Sequence, residues 1–293
     1  MVANTTTTVT WESANSRRCR LRLEGRLTGA GTVNEEKDVI RLAGDNSGFS
    51  GIWNYTYDKA TLASAAMGIM SNKSSSSNAV WSVTGAPSAL TALYYIEHQS
   101  GNQTGYFNGL NIASANGAVY VKNPLALVLG ENGGDSEIIG ALALQNAGDY
   151  TITKKGAGKL ALGTGFRMAN ATALGLSGDS DYSANAQTKT ITVQNGVFSV
   201  ENRDLADISV YISKEVTVDL DRSMGLSAEE PADRTVVYTI FQTTGPLSVA
   251  SRTSVVSETT IRRGKWKLFV ETNEGLNFLR AKYFSEGTSI SLR

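Results

Sequence analysis

Apolar residues along this chain recur in short runs in which apolar and polar positions alternate, and clusters of glycine, asparagine and charged residues separate the runs. Alternation of this kind is typical of strands with one buried face, whereas helices place apolar residues three and four positions apart. The pattern therefore predicts an all-β fold, either a sandwich, a barrel or a repeat architecture. Clear examples are LRLEGRL (21–27), YTITKK (150–155), TKTITVQNG (188–196) and KWKLFVE (265–271).

Two segments of the chain resemble each other. Residues 27–33, LTGAGTV, and residues 153–160, TKKGAGKL, share Gly-Ala-Gly with an apolar residue two positions beyond it, and a predicted strand follows each copy. A repeated unit that cannot bury its apolar face alone must stack on its neighbours. The repeat therefore favours a solenoid over a sandwich or a barrel.

The second copy resembles a known family of repeats. ITKKGAGKLAL (152–162) is similar to the passenger-associated repeat of autotransporters and related secreted proteins, in which Lys-x-Gly-x-Gly-x-Leu-x-Leu precedes a Gly-x-Asn-x-Tyr-x-Gly turn and a Thr-x-Val-x-x-Gly-x-Leu strand. RLAGDNSGFSG (41–51) resembles the turn, with Phe49 in the aromatic place, and TITVQNGVFSV (190–200) resembles the closing strand. NATALG (170–175) is similar to a step that recurs in such chains. The second copy lacks the turn, and residues 54–107 fit no repeat.

The resemblance implies a right-handed parallel β-helix, a single elongated domain over residues 1–293, with inward ladders of Leu, Ile and Val. Asparagine amides would stack between coils. Residues 54–107 would be a helical or loop excursion, and residues 221–293 the last coils and a cap. The decisive expectation is that residues 153–162 and 190–200 lie in stacked parallel coils, because a β-sandwich would not place them so.

The region that fits no repeat contains the candidate binding residues. YDKATLASAAMGIMSNKSSSSN (57–78) is the one segment with helical spacing of apolar residues. Aromatic rings beside Asn, Gln and Glu are what a sugar or a protein partner would dock against. The alternative is a pair of strands whose aromatic residues cover the flank of the rod. The tentative ligand-binding residues, all within 92–109, are Tyr94, Tyr95, Glu97, His98, Tyr106 and Phe107.

Composition excludes several kinds of chemistry. Lys plus Arg and Asp plus Glu are 27 each, so no global field attracts nucleic acid. One cysteine and one histidine exclude an internal disulfide and any site that needs two imidazoles. Glu97 and His98 are adjacent and would point to opposite faces of a strand. We therefore predict no catalytic residue, no metal and no cofactor, and no run of apolar residues is long enough to insert into a membrane.

Four charged segments leave alternatives open. Asp219 and Asp221, and separately Glu131, Asp135 and Glu137, are interpreted as turn or surface carboxylates, the alternative being a carboxylate dyad or a weak calcium site. IRRGKWKLF (261–269) is interpreted as a strand with Lys265 and Lys267 outward and Trp266 and Leu268 inward; the alternative is a surface for an anionic polymer. Cys19, in a charged edge strand, is either buried or able to join chains.

The functional expectation follows from the resemblance. The chain is expected to be a bacterial passenger segment, secreted or at the cell surface, that acts as a non-enzymatic adhesin or host-interaction module for a host glycan or matrix protein. The alternatives are a β-helical carbohydrate-active enzyme, a lyase or hydrolase with carboxylates on the rod flank, and a structural subunit of a fibre or surface layer.

Overall fold

The computed structural model is all-β apart from one short helix, α1 (Leu220–Met224), within the residues it describes. Those residues are 7–10, 20–36, 39–56, 74–85, 87–96, 103–121, 123, 125–176, 186–224, 235–250, 254–256 and 264–285. The strands are β1 (Thr7–Thr10), β2 (Arg20–Leu23), β3 (Thr32–Glu36), β4 (Val39–Leu42), β5 (Ile52–Thr56), β6 (Ser76–Thr84), β7 (Thr91–Ile96), β8 (Gln103–Ile112), β9 (Gly117–Val121), β10 (Leu125–Leu129), β11 (Ser136–Ile138), β12 (Ala141–Leu144), β13 (Gly148–Lys154), β14 (Lys159–Leu162), β15 (Arg167–Asn170), β16 (Gln187–Val193), β17 (Gly196–Val200), β18 (Ser209–Ile212), β19 (Val216–Asp219), β20 (Val237–Thr243), β21 (Leu247–Val249), β22 (Ser254–Val256), β23 (Gly264–Asn273) and β24 (Leu276–Ser285).

Most strands belong to one large sheet in which every pairing is parallel. It has fifteen strands and three branches that meet at β8, which pairs with β6, β10 and β11. The long path runs β1-β3-β5-β6-β8-β11-β14-β17-β19-β22, and the short path runs β8-β10-β13-β16-β18-β21. A separate side sheet is also parallel, in the order β15-β12-β9-β7. Parallel neighbours need long connections between them. Here the connection from β10 to β13, for example, contains β11 of the same sheet and β12 of the side sheet.

The chain visits the sheets in a repeating order. In residues 125–144, β10 joins the short path, β11 the long path and β12 the side sheet; in residues 148–170, β13, β14 and β15 do the same. We call each such segment a tier. Residues 187–200 and 209–219 add two further tiers through β16 and β17, and through β18 and β19. Each tier contacts the tiers before and after it, which is the organisation of a solenoid-like stack.

The register between neighbouring tiers confirms the decisive expectation. Thr153 pairs with Thr192 and Leu160 with Phe198, both in parallel, so residues 153–162 stack directly on residues 190–200. The first Gly-Ala-Gly copy stacks in the same way, because Gly29 forms a parallel bridge to Phe49. The turn-like segment therefore lies on the repeat that precedes it.

The core lies between the sheets and consists of apolar ladders that run from tier to tier. All ladder residues are at least 96% buried, as expected for the predicted ladders of Leu, Ile and Val. The long path contributes Ile112, Ile138, Leu162 and Val200; the short path contributes Leu127, Ile152, Ile191 and Val210; the side sheet contributes Val119, Leu142 and Met168.

Gly-Ala-Gly marks a corner where the backbones of successive tiers nearly touch. Gly156 has φ +61°, and a Cβ there would lie 2.1 Å from the carbonyl oxygen of Gly130. Gly196, one tier later, has φ +88°, and its Cβ would lie 2.1 Å from the carbonyl oxygen of Gly158. A side chain at either position would meet both backbone strain and a steric clash, so only glycine fits.

The described residues within 54–107 are mainly strands of the stack rather than the expected helical or loop excursion. β6 pairs in parallel with β5 and β8, and β7 pairs in parallel with β9. The described part of this range is therefore built into the stack. Most of the predicted helix, residues 57–73, and Cys19 lie outside the described residues, and Ser76–Asn78 begin a strand rather than end a helix.

The C-terminal residues combine parallel and antiparallel strands. β21 and β22 pair in parallel with β18 and β19, whereas β20, β24 and β23 form a separate antiparallel sheet. In β23, Trp266 and Leu268 pack against the main core and Lys267 is exposed, as the alternation predicts. The Lys265 side chain is not among those described.

Candidate binding surface

The residues predicted to bind a ligand are divided between two sheets. Tyr94 and Tyr95 lie in β7 of the side sheet, where their backbones pair with Val119 and Tyr120. Tyr106 lies in β8 of the short path and pairs with Val128. Glu97 and His98 lie outside the described residues. The described members of the set therefore do not share one sheet.

Phe107 must be removed from the predicted set. Its side chain is fully buried, and its ring lies edge-on to Trp81 with 6.0 Å between ring centroids. Trp81 in turn stacks on Trp53 at 5.4 Å. Phe107 points inward because it pairs with Leu129, whose side chain lies on the core side of the short path. Its ring is a core element and cannot contact a ligand at the surface.

Tyr106 lies at one end of an array of side chains on the outer side of the short path, all of them polar except Ala126 and Val128, of which Val128 is buried. The array alternates along each strand with buried residues such as Ile152 and Ile191, so it faces away from the core. The side chains of the array form two rows across the strands, and we call the two rows together the threonine face. In register order, one row is Tyr106, Val128, Thr153, Thr192 and Tyr211, and the other is Thr104, Ala126, Thr151, Thr190 and Ser209.

The geometry of this face is regular because the pairing is parallel and in register. Neighbouring strands are about 4.8 Å apart, and the two rows are about 6.6 Å apart along the strands. Tyr106 and Tyr211 are separated by four strand spacings, or about 19 Å. Tyr211 is 40% exposed, which makes it one of the few large apolar side chains at the surface.

The hydroxyl groups of the face are available to a partner. Within the described residues, the side chains of Thr151, Thr153, Thr190 and Thr192 make no hydrogen bond. Each hydroxyl can donate one hydrogen bond and accept two. A surface that carries regularly spaced hydroxyls, with an aromatic ring at each end of one row, suits the hydroxyls and apolar ring faces of a sugar, or the surface of a protein.

Sequence reasoning missed Tyr211, although the signal was present. Ile208, Val210 and Ile212 are buried, and strict alternation through ISVYI therefore turns Tyr211 outward. What the sequence alone does not provide is the register, which places Tyr211 in the same row as Tyr106.

The outer side of the long path is different, because its polar groups bind one another. Asn54 Nδ2 donates to Asn34 Oδ1 at 3.0 Å, and Asn111 Nδ2 donates to Ser82 Oγ at 3.3 Å. Asn111 Oδ1 also accepts a hydrogen bond of 3.0 Å from the backbone N–H of Glu137. Amide groups thus link successive tiers, as predicted, and this surface has a structural role.

Four of the five carboxylates that were candidates for a dyad or a calcium site have a partner in the structure. Glu131 pairs with Lys155 at 3.1 Å, Asp219 pairs with Lys159 at 3.0 Å, and Asp135 accepts a hydrogen bond of 2.7 Å from the Lys159 backbone. The guanidinium of Arg222 binds both Glu137 and Glu201. The Asp221 side chain is not among those described.

Arg222 extends from α1 across the outer side of the long path. Nε reaches Glu201 in the segment after β17, and Nη2 reaches Glu137 in β11, two tiers earlier. These two carboxylates raise the pKa of Arg222, in opposition to the effect of burial. Ala161 and Ser199, which follow Glu137 in the strand register, are both buried. The two ion pairs of Arg222 link α1 to the stack.

Lys154 is a fully buried lysine at an inward position, between Leu129 and Val193 in the ladder. Its Nζ donates to the carbonyl oxygens of Lys155 and, at 3.0 Å, of Gly156. Burial lowers the pKa of Lys154 to about 8, and the negative charge of Asp135 opposes this shift. The buried amine cannot reach a substrate, so its role is to hydrogen-bond the backbone at the glycine corner.

We searched the described residues for a metal site and for a membrane-spanning helix. These residues include no group of three or more His, Cys, Asp or Glu side chains that could hold a metal ion. They also include no helix that is long and apolar enough to cross a membrane.

No protein-family model matches the chain, and no curated protein matches it. The geometry therefore has to support the functional proposal by itself.

Proposed function

We propose that this chain is a passenger segment of the autotransporter type, secreted or displayed on the bacterial surface, and that it acts as a non-enzymatic adhesin or host-interaction module. In this proposal the stack is a right-handed parallel β-helix. The observation that carries the proposal is the threonine face, a regular outward surface on a continuous parallel stack.

The proposed mechanism is mechanical and multivalent. Every tier is hydrogen-bonded along its strands to the next, and its core ladders are continuous, so the stack resists bending between tiers. A stiff support holds a binding surface at a fixed place and reduces the entropy lost on contact. The weak contacts of individual hydroxyls and of the two tyrosine rings then add together along one partner.

The carboxylate partners favour adhesion over a carbohydrate-active enzyme. Glycosidases use two carboxyl groups that both face the scissile bond. Here Glu131, Glu137 and Asp219 are each held by a cation, and Asp135 is held by a backbone N–H. These contacts support structural roles for the four groups.

The test is binding of the purified chain to an array of host glycans and extracellular-matrix proteins. Deleting part of residues 54–107 is unsuitable, because β6, β7 and β8 belong to the stack. The test variant is therefore Tyr106→Ser with Tyr211→Ser. The matched control is Ile52→Ser, since Ile52 is 42% exposed and lies on the outer side of the long path.

We expect the intact chain and the Ile52→Ser variant to bind the same ligand, and the double tyrosine variant to bind at least tenfold more weakly. Absence of binding by the intact chain to every ligand would refute the adhesin. Light scattering on the same sample tests the fibre alternative, because a structural subunit would assemble end to end without any ligand.

A further inference from the structure

The antiparallel C-terminal sheet has one face on the core and one face in solvent. On β24, Leu279, Ala281 and Tyr283 are buried on the inner side. The residues that alternate with them point outward and combine rings with cations. This outer face, which we call the basic face, includes Phe278, Arg280, Lys282 and Phe284 from β24, and Lys267 from β23.

The register places two lysines directly opposite each other on this face. Lys267 of β23 pairs with Lys282 of β24. Like charges in directly opposed positions destabilise a pair of strands. Both ammonium groups lie over the ring of Phe284, with Nζ 4.9 Å and 5.6 Å from its centroid. The ring attracts both cations and so holds them close together.

The two lysines carry a local excess of positive charge. Arg280 is compensated, because its Nε lies 3.2 Å from a carboxylate oxygen of Glu271. Among the described residues, neither Lys267 nor Lys282 has an acidic partner. Lys267 and Phe284 are exposed, and Phe284 is 42% exposed. In a chain of zero net charge, this is a site whose electrostatic complement is an anion.

We propose that the basic face binds an anionic polysaccharide, with a sulfate or carboxylate group of the polymer bridging the ammonium groups of Lys267 and Lys282. A bridging anion would remove the repulsion between the two lysines, which the free protein retains. The proposal rests on the proposed function only for the extracellular setting, where such polymers occur, and it concerns a surface separate from the threonine face.

The arrangement fits a polysaccharide better than a nucleic acid. Surfaces for single-stranded nucleic acid stack bases on open aromatic faces, whereas ammonium groups already lie over the Phe284 ring. Duplex binding commonly neutralises about 6–10 phosphates, and the basic face offers two uncompensated lysines. Two fixed cations are sufficient to recognise a charged group that recurs along a flexible sugar chain, because successive groups can exchange at one site.

The experiment measures binding of the full chain to heparin, a densely sulfated polysaccharide, at several salt concentrations. Completely desulfated heparin and a single-stranded DNA of similar length serve as comparison ligands. The test variant is Lys267→Gln with Lys282→Gln. The matched control is Lys155→Gln with Lys214→Gln, which removes the same charge from two lysines that have acidic neighbours, Glu131 and Glu215. Thermal unfolding confirms that both variants are folded.

We expect the test variant to bind heparin at least tenfold more weakly than the intact chain, and the control variant to bind within twofold. The slope of log Kd against log salt should fall by about two in the test variant, or about one for each cation removed. Desulfated heparin should bind at least tenfold more weakly than heparin.

Equal heparin binding by the test and control variants would overturn the proposal, as would an intact chain that does not bind heparin at physiological salt. Tighter binding to the DNA, lost in the same variant, would replace the polysaccharide with a nucleic acid. The double tyrosine variant keeps the basic face, so heparin binding that survives there separates this proposal from the adhesin proposal.

Discussion

Two tiers approach each other closely at Gly156, and replacement of this glycine by alanine tests the stacking directly. A Cβ at this position would lie 2.1 Å from the carbonyl oxygen of Gly130 and 3.0 Å from that of Glu131. The backbone also has φ +61°. The left-handed conformation costs a residue other than glycine about 1–2 kcal/mol. Overpacking that shifts the backbone adds about 1–3 kcal/mol, so the expected loss of unfolding free energy is about 2–5 kcal/mol.

Two glycines in open positions provide matched controls for Gly156→Ala. Gly133 and Gly175 have φ +83° and +71°, and a Cβ at either would have no heavy atom within 4 Å. Gly133→Ala and Gly175→Ala should therefore lose only the conformational part, about 1–2 kcal/mol. Urea unfolding followed by circular dichroism measures all three variants, with the slope m expected to stay constant. If Gly156→Ala loses no more than the two controls, the tiers do not approach each other at this corner.

Three further predictions concern buried or paired polar groups. The pKa of Lys154 falls from 10.5 to about 8 on folding, so between these pH values Lys154 is neutral in the native state and protonated in the unfolded state. The free energy of unfolding should therefore rise over that pH range, by at most about 3 kcal/mol. Urea unfolding at pH 7 and pH 10 should show this rise in Lys155→Gln but not in Lys154→Met. A double-mutant cycle of Arg222→Met and Glu137→Gln should give a coupling of about 1 kcal/mol in thermal unfolding, and a coupling of zero would mean that the ion pair does not fix α1. Ser199 Oγ is buried without a hydrogen-bond partner in the described residues, so Ser199→Ala should leave the melting temperature unchanged or raise it, and a clear decrease would reveal a bond to this hydroxyl.

The stacking of residues 153–162 on residues 190–200 could be predicted from the sequence because it depends on local features. Gly156 and Gly158 identify a corner, and the alternation around Ile152 and Ile191 identifies strands with one buried side. Both signals lie within a few residues. The pairing of tiers follows once each unit must bury its apolar side against another unit.

Two strands within residues 92–109 were one of the alternatives, and β7 and β8 agree with it. Strand β6 was not predicted, because this part of the stack uses different residues at its corners. The serines of 74–77 fall in the segment expected to be a helix or a loop, yet Ser75 and Ser76 are buried. Ser76 Oγ donates to the carbonyl oxygen of Phe49 at 2.6 Å, and Ser75 Oγ accepts a hydrogen bond from Tyr106 N at 2.9 Å. Small hydroxyl side chains bind the backbones of neighbouring tiers here, whereas glycine allows the backbones to meet elsewhere.

The candidate site was predicted only in part because composition does not show which way a side chain points. Tyr106 and Phe107 are adjacent aromatic residues, so they belong to opposite sides of β8, and Phe107 packs in the core. Tyr211 lies 105 positions further along the chain than Tyr106, and only the register of intervening strands places the two in one row. Long-range register of this kind depends on the length of every connection, which local patterns do not specify.

Adhesion of bacterial cells that display this chain on a translocating barrel would test the central claim most directly. Cells that carry the intact chain should adhere to surfaces coated with the ligand found on the array, and cells with Tyr106→Ser and Tyr211→Ser should adhere no better than cells with the barrel alone. Protease accessibility would confirm equal display of both chains. If the intact chain gives no more adhesion than the barrel alone, the threonine face is not an adhesive surface and the proposed function is wrong.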